Sequence, residues 1–195
     1  MNQVNELLLQ MLETELGGVR VYTTALQCAV NEDLQEEWEK YLDQTLRHVD
    51  VVGELFDKLG LDPEQETPGR GVVRHLGEGL VQAMELAKQG GNPEAAELVA
   101  CECVVLAETK DHLNWSLLSK YAEEAEGEEA KALLAACEEV EDEEDEHIYH
   151  SKGWCRELWL ASLGLPAVLP PPEEEKDVKS ALEAAKAVEE REEMT

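Results

Sequence analysis

Four long stretches of the chain repeat their apolar residues in alternating steps of four and three, the spacing that aligns side chains on one face of an α-helix. The first, residues 2–30, runs through Leu8, Leu12, Glu15, Val19, Tyr22, Leu26 and Ala29. The second, 32–60, runs through Leu34, Trp38, Tyr41, Thr45, His48, Val52, Leu55 and Leu59. The third, 93–125, carries Leu98, Cys101, Val105, Glu108, His112, Trp115, Ser119 and Ala122. The fourth, 128–163, carries Leu133, Cys137, Val140, Glu144, His147, Ser151, Trp154 and Leu158. Local punctuation agrees. Asn31 suits an N-cap, Gly60 a C-terminal stop, and Asn92 followed by Pro93 a helix start. A shorter helix over 71–89 follows the turn-rich connector LDPEQETPGRG and is expected to cross over outside the main bundle, with His75 at the surface.

Each stripe is interrupted by polar residues near its midpoint. These are Glu15, then Thr45 and His48, then Glu108 and His112, then Glu144 and His147. In an antiparallel bundle the midpoints meet at one level, so these groups converge on one interior layer. Burying carboxylates and imidazoles is costly unless something pairs with them, and a metal ion is one such partner. Glu-x-x-His alone says little, because residues 138–146 hold eight acids among nine and a solvated acidic face explains them as well. The shared height of the four interruptions is what points to metal. Gly17 and Gly18 cost the first helix about 1 kcal/mol each relative to alanine, and so imply close packing or distortion near Glu15. Tyr22 and Trp115, each seven residues after a central glutamate, are expected as core aromatics, and His150 at the surface or beside a ligand.

After Gly164 the composition changes. LPAVLPPPEEE reads as a stiff extended linker, and residues 176–193 as a weak amphipathic helix with Val178, Leu182, Ala185 and Val188 on one side. We therefore divide the chain into a bundle over 1–165 and a Pro-rich linker with a short tail over 166–195, the tail either docking on a neighbouring subunit or partly disordered. The formal charge of −29 disfavours nucleic acid and anionic membrane as partners and favours cations. It also destabilises a compact state by self-repulsion, which bound metal ions or homo-oligomer contacts would relieve. The five cysteines form no CxxC and read as reduced packing thiols of a cytoplasmic protein. The N-terminal stretch lacks the basic start of a signal peptide.

At the residues of the polar layer the chain resembles a known family. ETELGGVRVYTTAL is similar to the first helix of rubrerythrins and bacterioferritins, with Glu15 and Tyr22 at that family's ligand and aromatic positions. Glu144 and His147 match its Glu-x-x-His on the last helix, and YLDQTLRHVDVVGELFDKLGLDPEQ with the following short helix is similar to the stress-associated YciF-type branch. The resemblance covers roughly residues 5–162. It implies an all-α, ferritin-like antiparallel four-helix bundle with a short crossover helix between its second and third helices. It also implies a dinuclear iron or manganese site and oxygen, peroxide or iron redox chemistry in stress response, as a ferroxidase- or peroxidase-like oxidoreductase. The ligand set expected is Glu15, His48, Glu108, His112, Glu144 and His147. One departure stands out: Thr45 occupies the position three before His48 where the superfamily carries glutamate, and His112 is the residue expected to compensate. The alternative is a non-catalytic, stress-associated assembly protein whose polar layer is a degenerate or structural metal site.

Overall fold

The computed structural model describes residues 2–194, apart from the side chains of residues 192 and 193, and places seven helices and no strand among them. They are α1 (Gln3–Ala25), α2 (Glu32–Leu59), α3 (Pro68–Gln89), α4 (Pro93–Glu124), α5 (Glu128–Ser162), α6 (Pro172–Glu175) and α7 (Ala181–Met194). Side-chain amides start three of the long helices: Asn2 accepts from the Val4 N–H at 3.3 Å, Asn31 from the Leu34 N–H at 3.1 Å, and Asn92 from the Ala95 N–H at 3.1 Å. Gly60 closes α2 at φ 64°, a left-handed conformation that glycine adopts without the penalty a Cβ brings.

The four long helices stand around one axis in the cyclic order α1, α2, α5, α4. Neighbours in that order pack together, whereas across the diagonals, α1 to α5 and α2 to α4, no Cα atoms of the described residues come within 8 Å and only side chains meet. Cross-helix pairs run in opposite chain directions. Tyr22 meets Glu108 while Thr14 meets Asn114, and Tyr41 meets His150 while His48 meets Glu143, so α1 and α4, and α2 and α5, are antiparallel. The interior has two apolar ends. Leu8, Leu12, Val52, Leu55, Leu118 and Leu133 fill one; Val21, Leu34, Trp38, Ala100, Val104 and Trp154 fill the other. Polar side chains occupy the level between them.

The α2 and α5 stripes are buried as the periodicity predicts, apart from their half-buried terminal residues Leu59 and Leu158. In α1 and α4 the order of the steps is reversed. The buried row of α4 runs Glu97, Cys101, Val104, Glu108, Asp111, Trp115, Leu118 and Ala122. It shares every second member with the expected row, and Asp111 faces inward in place of His112. In α1, Gly18 and Ala25 are buried where Val19 and Leu26 were expected. Gly18 is the close approach that the paired glycines implied: a Cβ there would lie 3.1 Å from Thr45 Cγ2.

Helix α3 lies outside the bundle against α1 and α4, with His75 exposed. It is held by a buried charge cluster. Glu13 of α1, 4% exposed, takes Arg70 Nε at 2.9 Å and Arg74 Nη2 at 2.9 Å.

The C-terminal segment docks on α5 of its own chain. Arg156 holds Glu173 at 2.7 Å, Glu157 accepts the Val168 N–H at 2.9 Å and is paired with Arg191, and His150 Nε2 lies 3.2 Å from the Val178 carbonyl. The face of α7 turned inward is that of Ala184, Ala187 and Arg191; of the expected apolar side, Val178 ahead of the helix is buried, whereas Leu182, Ala185 and Val188 are exposed. His150, expected at the surface or beside a ligand, is buried beneath this segment, its Nδ1 3.0 Å from the Tyr41 hydroxyl. Charge pairing with α5, which has no helical period to read, sets the orientation. All five cysteines are free. No helix among the described residues is long and apolar enough to cross a membrane.

Candidate metal centre

The central layer gathers Glu15 from α1, His48 from α2, Glu108 and Asp111 from α4, and Glu144 and His147 from α5. All six are at most 5% exposed. Ligand-capable atoms of His48, Glu144 and His147 lie within 4.8 Å of one another, and so do those of Glu15, Asp111 and Glu144. Glu144 belongs to both triads. Glu108 stands at the edge of the first, its Oε2 3.5 Å from His147 Nδ1.

Hydrogen bonds on the outer side aim these groups inward. The His48 Nε2 lies 2.9 Å from Glu143 Oε2, so Nε2 carries the proton and Nδ1 presents a lone pair to the interior. His147 Nε2 lies 3.0 Å from Gln44 Oε1, which assigns its tautomer in the same sense. Trp115 donates to Glu15 Oε1 at 2.8 Å, and the Tyr22 hydroxyl donates to Glu108 Oε1 at 2.8 Å. Each of those glutamates keeps its second oxygen for the interior. Tyr41 packs against the His147 ring at a centroid separation of 4.3 Å and fixes its tilt.

The inward atoms are left without partners. Glu15 Oε2, Glu108 Oε2, Asp111 Oδ1, both Glu144 oxygens and His48 Nδ1 are buried and make no hydrogen bond. His48 Nδ1 is 2.9 Å from Glu144 Oε1, yet outside hydrogen-bonding geometry, so neither atom satisfies the other. An orphaned buried acceptor costs about 1–3 kcal/mol, and several at one level are stable only with protons or cations among them. Burial, followed by the charges of Asp111 and Glu108, pushes the Glu15 carboxyl well above its ordinary range. Burial and then the neighbouring carboxylates do the same for Asp111 and Glu144. Burial holds His48 below the usual imidazole range, which keeps it neutral and able to donate its lone pair. Oxygen and imidazole donors with inward lone pairs are the chemistry a divalent transition ion requires.

Known protein families, curated proteins and solved structures offer no match to this chain. The centre therefore rests on its own geometry.

Of the residues singled out in the sequence, Glu15, His48, Glu108, Glu144 and His147 come together. His112 does not. It is half-buried at the outer edge of the α4/α5 interface, its Nδ1 3.5 Å from Asp145 Oδ1. Asp111, which the stripe passed over, holds the inward position. The signal for it was Leu118: an apolar residue seven positions on favours the row through 104, 111 and 118 over the row through 105, 112 and Ser119. Thr45 is buried and turns its hydroxyl back onto the Tyr41 carbonyl at 2.8 Å, so it offers no ligand atom. Asp111 supplies the fourth buried carboxylate of the layer.

Proposed function

We propose that the chain is a ferritin-like metalloprotein that holds two iron or manganese ions in the central layer and uses them in oxygen, peroxide or ferrous-iron redox chemistry. The observation that carries this reading is Glu144, shared by two triads and left with both oxygens unpartnered in the core. A carboxylate between two groups of donors suits a bridge between two cations. Charge supports the same count. Glu15, Glu108, Asp111 and Glu144 are four carboxylates, and two divalent ions neutralise four negative charges at this level. The donor set is oxygen and imidazole without thiolate, which favours iron or manganese over softer choices. Such ions supply one-electron redox chemistry toward oxygen species. The residues of this chain hold the ligands in one tautomer and orientation, exclude water with the two apolar ends, and place Tyr22 and Trp115 on the ligand carboxylates.

A second reading, a structural metal site without turnover, draws on Thr45. Its methyl group against Gly18 fills the place where the resembled family has a ligand carboxylate.

Elemental analysis of full-length protein purified without chelator tests the reading, with about two iron or manganese ions per chain expected. Oxygen and peroxide consumption by the wild type and by Glu108→Ala then separates the two readings. Equal rates would leave a structural site, and absence of metal would end the redox reading and leave a degenerate polar layer.

A further inference from the structure

The geometry points to the cleft between α4 and α5 as the route by which divalent cations reach the central layer, with His112 and Asp145 as a transient outer binding station. This inference rests on the buried centre proposed above.

The cleft has a volume of about 250 Å³ and opens at the surface. Its floor is Glu144, the carboxylate common to both triads, 2% exposed with both oxygens unpartnered, beside Trp115, whose indole is bonded to Glu15. Its wall carries His112, Asp145 and Glu141. The only cation on the wall among the described residues, Lys120, is already paired with Glu123 at 3.0 Å and Glu124 at 3.4 Å. The wall is therefore negative, and a cleft lined by one sign of charge concentrates the opposite ion. His112 Nδ1 and Asp145 Oδ1, 3.5 Å apart at the mouth, pair an imidazole with a carboxylate, a combination that takes a partly hydrated divalent ion loosely. From there the next free oxygens inward are those of Glu144. The position of His112 thus has a use: it stands on the way to the layer, outside it.

The test is stopped-flow mixing of metal-free full-length chain with Co²⁺, read by tryptophan quenching, with the Co²⁺ bound at saturation measured by equilibrium dialysis. The double variant His112→Ala/Asp145→Asn is expected to slow uptake by about tenfold or more, with saturation unchanged. Ser119→Phe, which fills the cleft without altering charge, is expected to slow it as well. Because the two act by different means, loss of folding in one leaves the other to decide. The charge control Glu128→Gln/Glu129→Gln, on exposed residues at the start of α5, is expected to stay within about twofold of wild type. Cleft variants as fast as wild type, or a control slowed as much as they are, would overturn the route alone. No Co²⁺ uptake by wild type would overturn the centre and the route together.

Discussion

Replacing Glu144 with glutamine should move the metal-free and metal-loaded proteins in opposite directions. In the metal-free chain Glu144 presents two unpartnered oxygens, one of them 2.9 Å from the lone pair of His48 Nδ1. An amide of the same shape brings an N–H donor to within 4.8 Å of ligand oxygens of Glu15 and Asp111. It also removes a carboxyl that burial and the charges of Glu15 and Glu108 make costly to ionise. Relief of one unsatisfied buried group amounts to about 1–3 kcal/mol. For a domain of this length that corresponds to a rise of about 2–4 °C in Tm per kcal/mol, so Glu144→Gln without metal should melt several degrees above wild type. Metal acts the other way. An ion present at about a hundred times its Kd stabilises the native state by about 2.7 kcal/mol, which raises the wild-type Tm by roughly 5–10 °C. An amide is a poor bridge, and the variant should lose most of that rise. Differential scanning calorimetry of both proteins, with chelator and with Mn²⁺, gives the four melting points required. A metal-free variant less stable than wild type would refute the claim that the layer is strained by unpaired acceptors.

Glu13→Ala leaves Arg70, 5% exposed, without its carboxylate and should cost about 3 kcal/mol in chemical denaturation, the low end for breaking a buried pair because Arg70 also donates to the Pro63 and Gln65 carbonyls. Burial alone would raise Glu13, but the bonds from Arg74 and Arg70 outweigh it and hold the carboxyl below its ordinary 4.5; the stability it contributes is complete above 4.5 and lost as pH falls below it, so acid titration of Glu13→Ala should be flatter than that of wild type there. Gly153→Ala puts a Cβ 2.7 Å from Glu173 Oε2 and 3.0 Å from Pro171 Cβ, and should loosen α6 and α7 by about 1–3 kcal/mol, read as faster proteolysis after residue 165. Burial, with the charge of Glu37 next, pushes Glu174 up to about 7 in a pocket that also faces His150 and Asp33. The docked segment keeps a proton that the released one gives up above 4.5, so docking should weaken as pH rises from about 5 through 7. Hydrogen exchange over 172–188 should then quicken beyond its intrinsic pH dependence, and Glu174→Gln should remove the excess.

What the sequence disclosed depended on whether one row of a helix alone carries its large apolar residues. Helices α2 and α5 turn their stripes to the bundle interior and carry large aromatics there, Trp38 and Tyr41 in one and Trp154 in the other, so a single row satisfies the pattern. Helix α4 packs on α1, α3 and α5 at once, and both of its candidate rows contain Cys101, Glu108, Trp115 and Ala122. The rows differ only between those points, and there composition was nearly silent: Val104 against Val105, Asp111 against His112, Leu118 against Ser119. The docked C-terminal segment left no period to follow, because Arg156, Glu157, Glu173 and Arg191 hold it by charge. The ambiguity in α4 has a chemical consequence larger than its structural one. Neighbouring positions on a helix differ in direction by about 100°. With His112 inward, the layer would hold three carboxylates and three imidazoles, and two divalent ions would leave a positive charge sealed between apolar ends. With Asp111 inward, four carboxylates meet two imidazoles, and the charge of two such ions would be balanced. Burying a net charge there would cost several kcal/mol, so the rotation of one helix by a single residue decides whether a dinuclear centre is tenable on this scaffold.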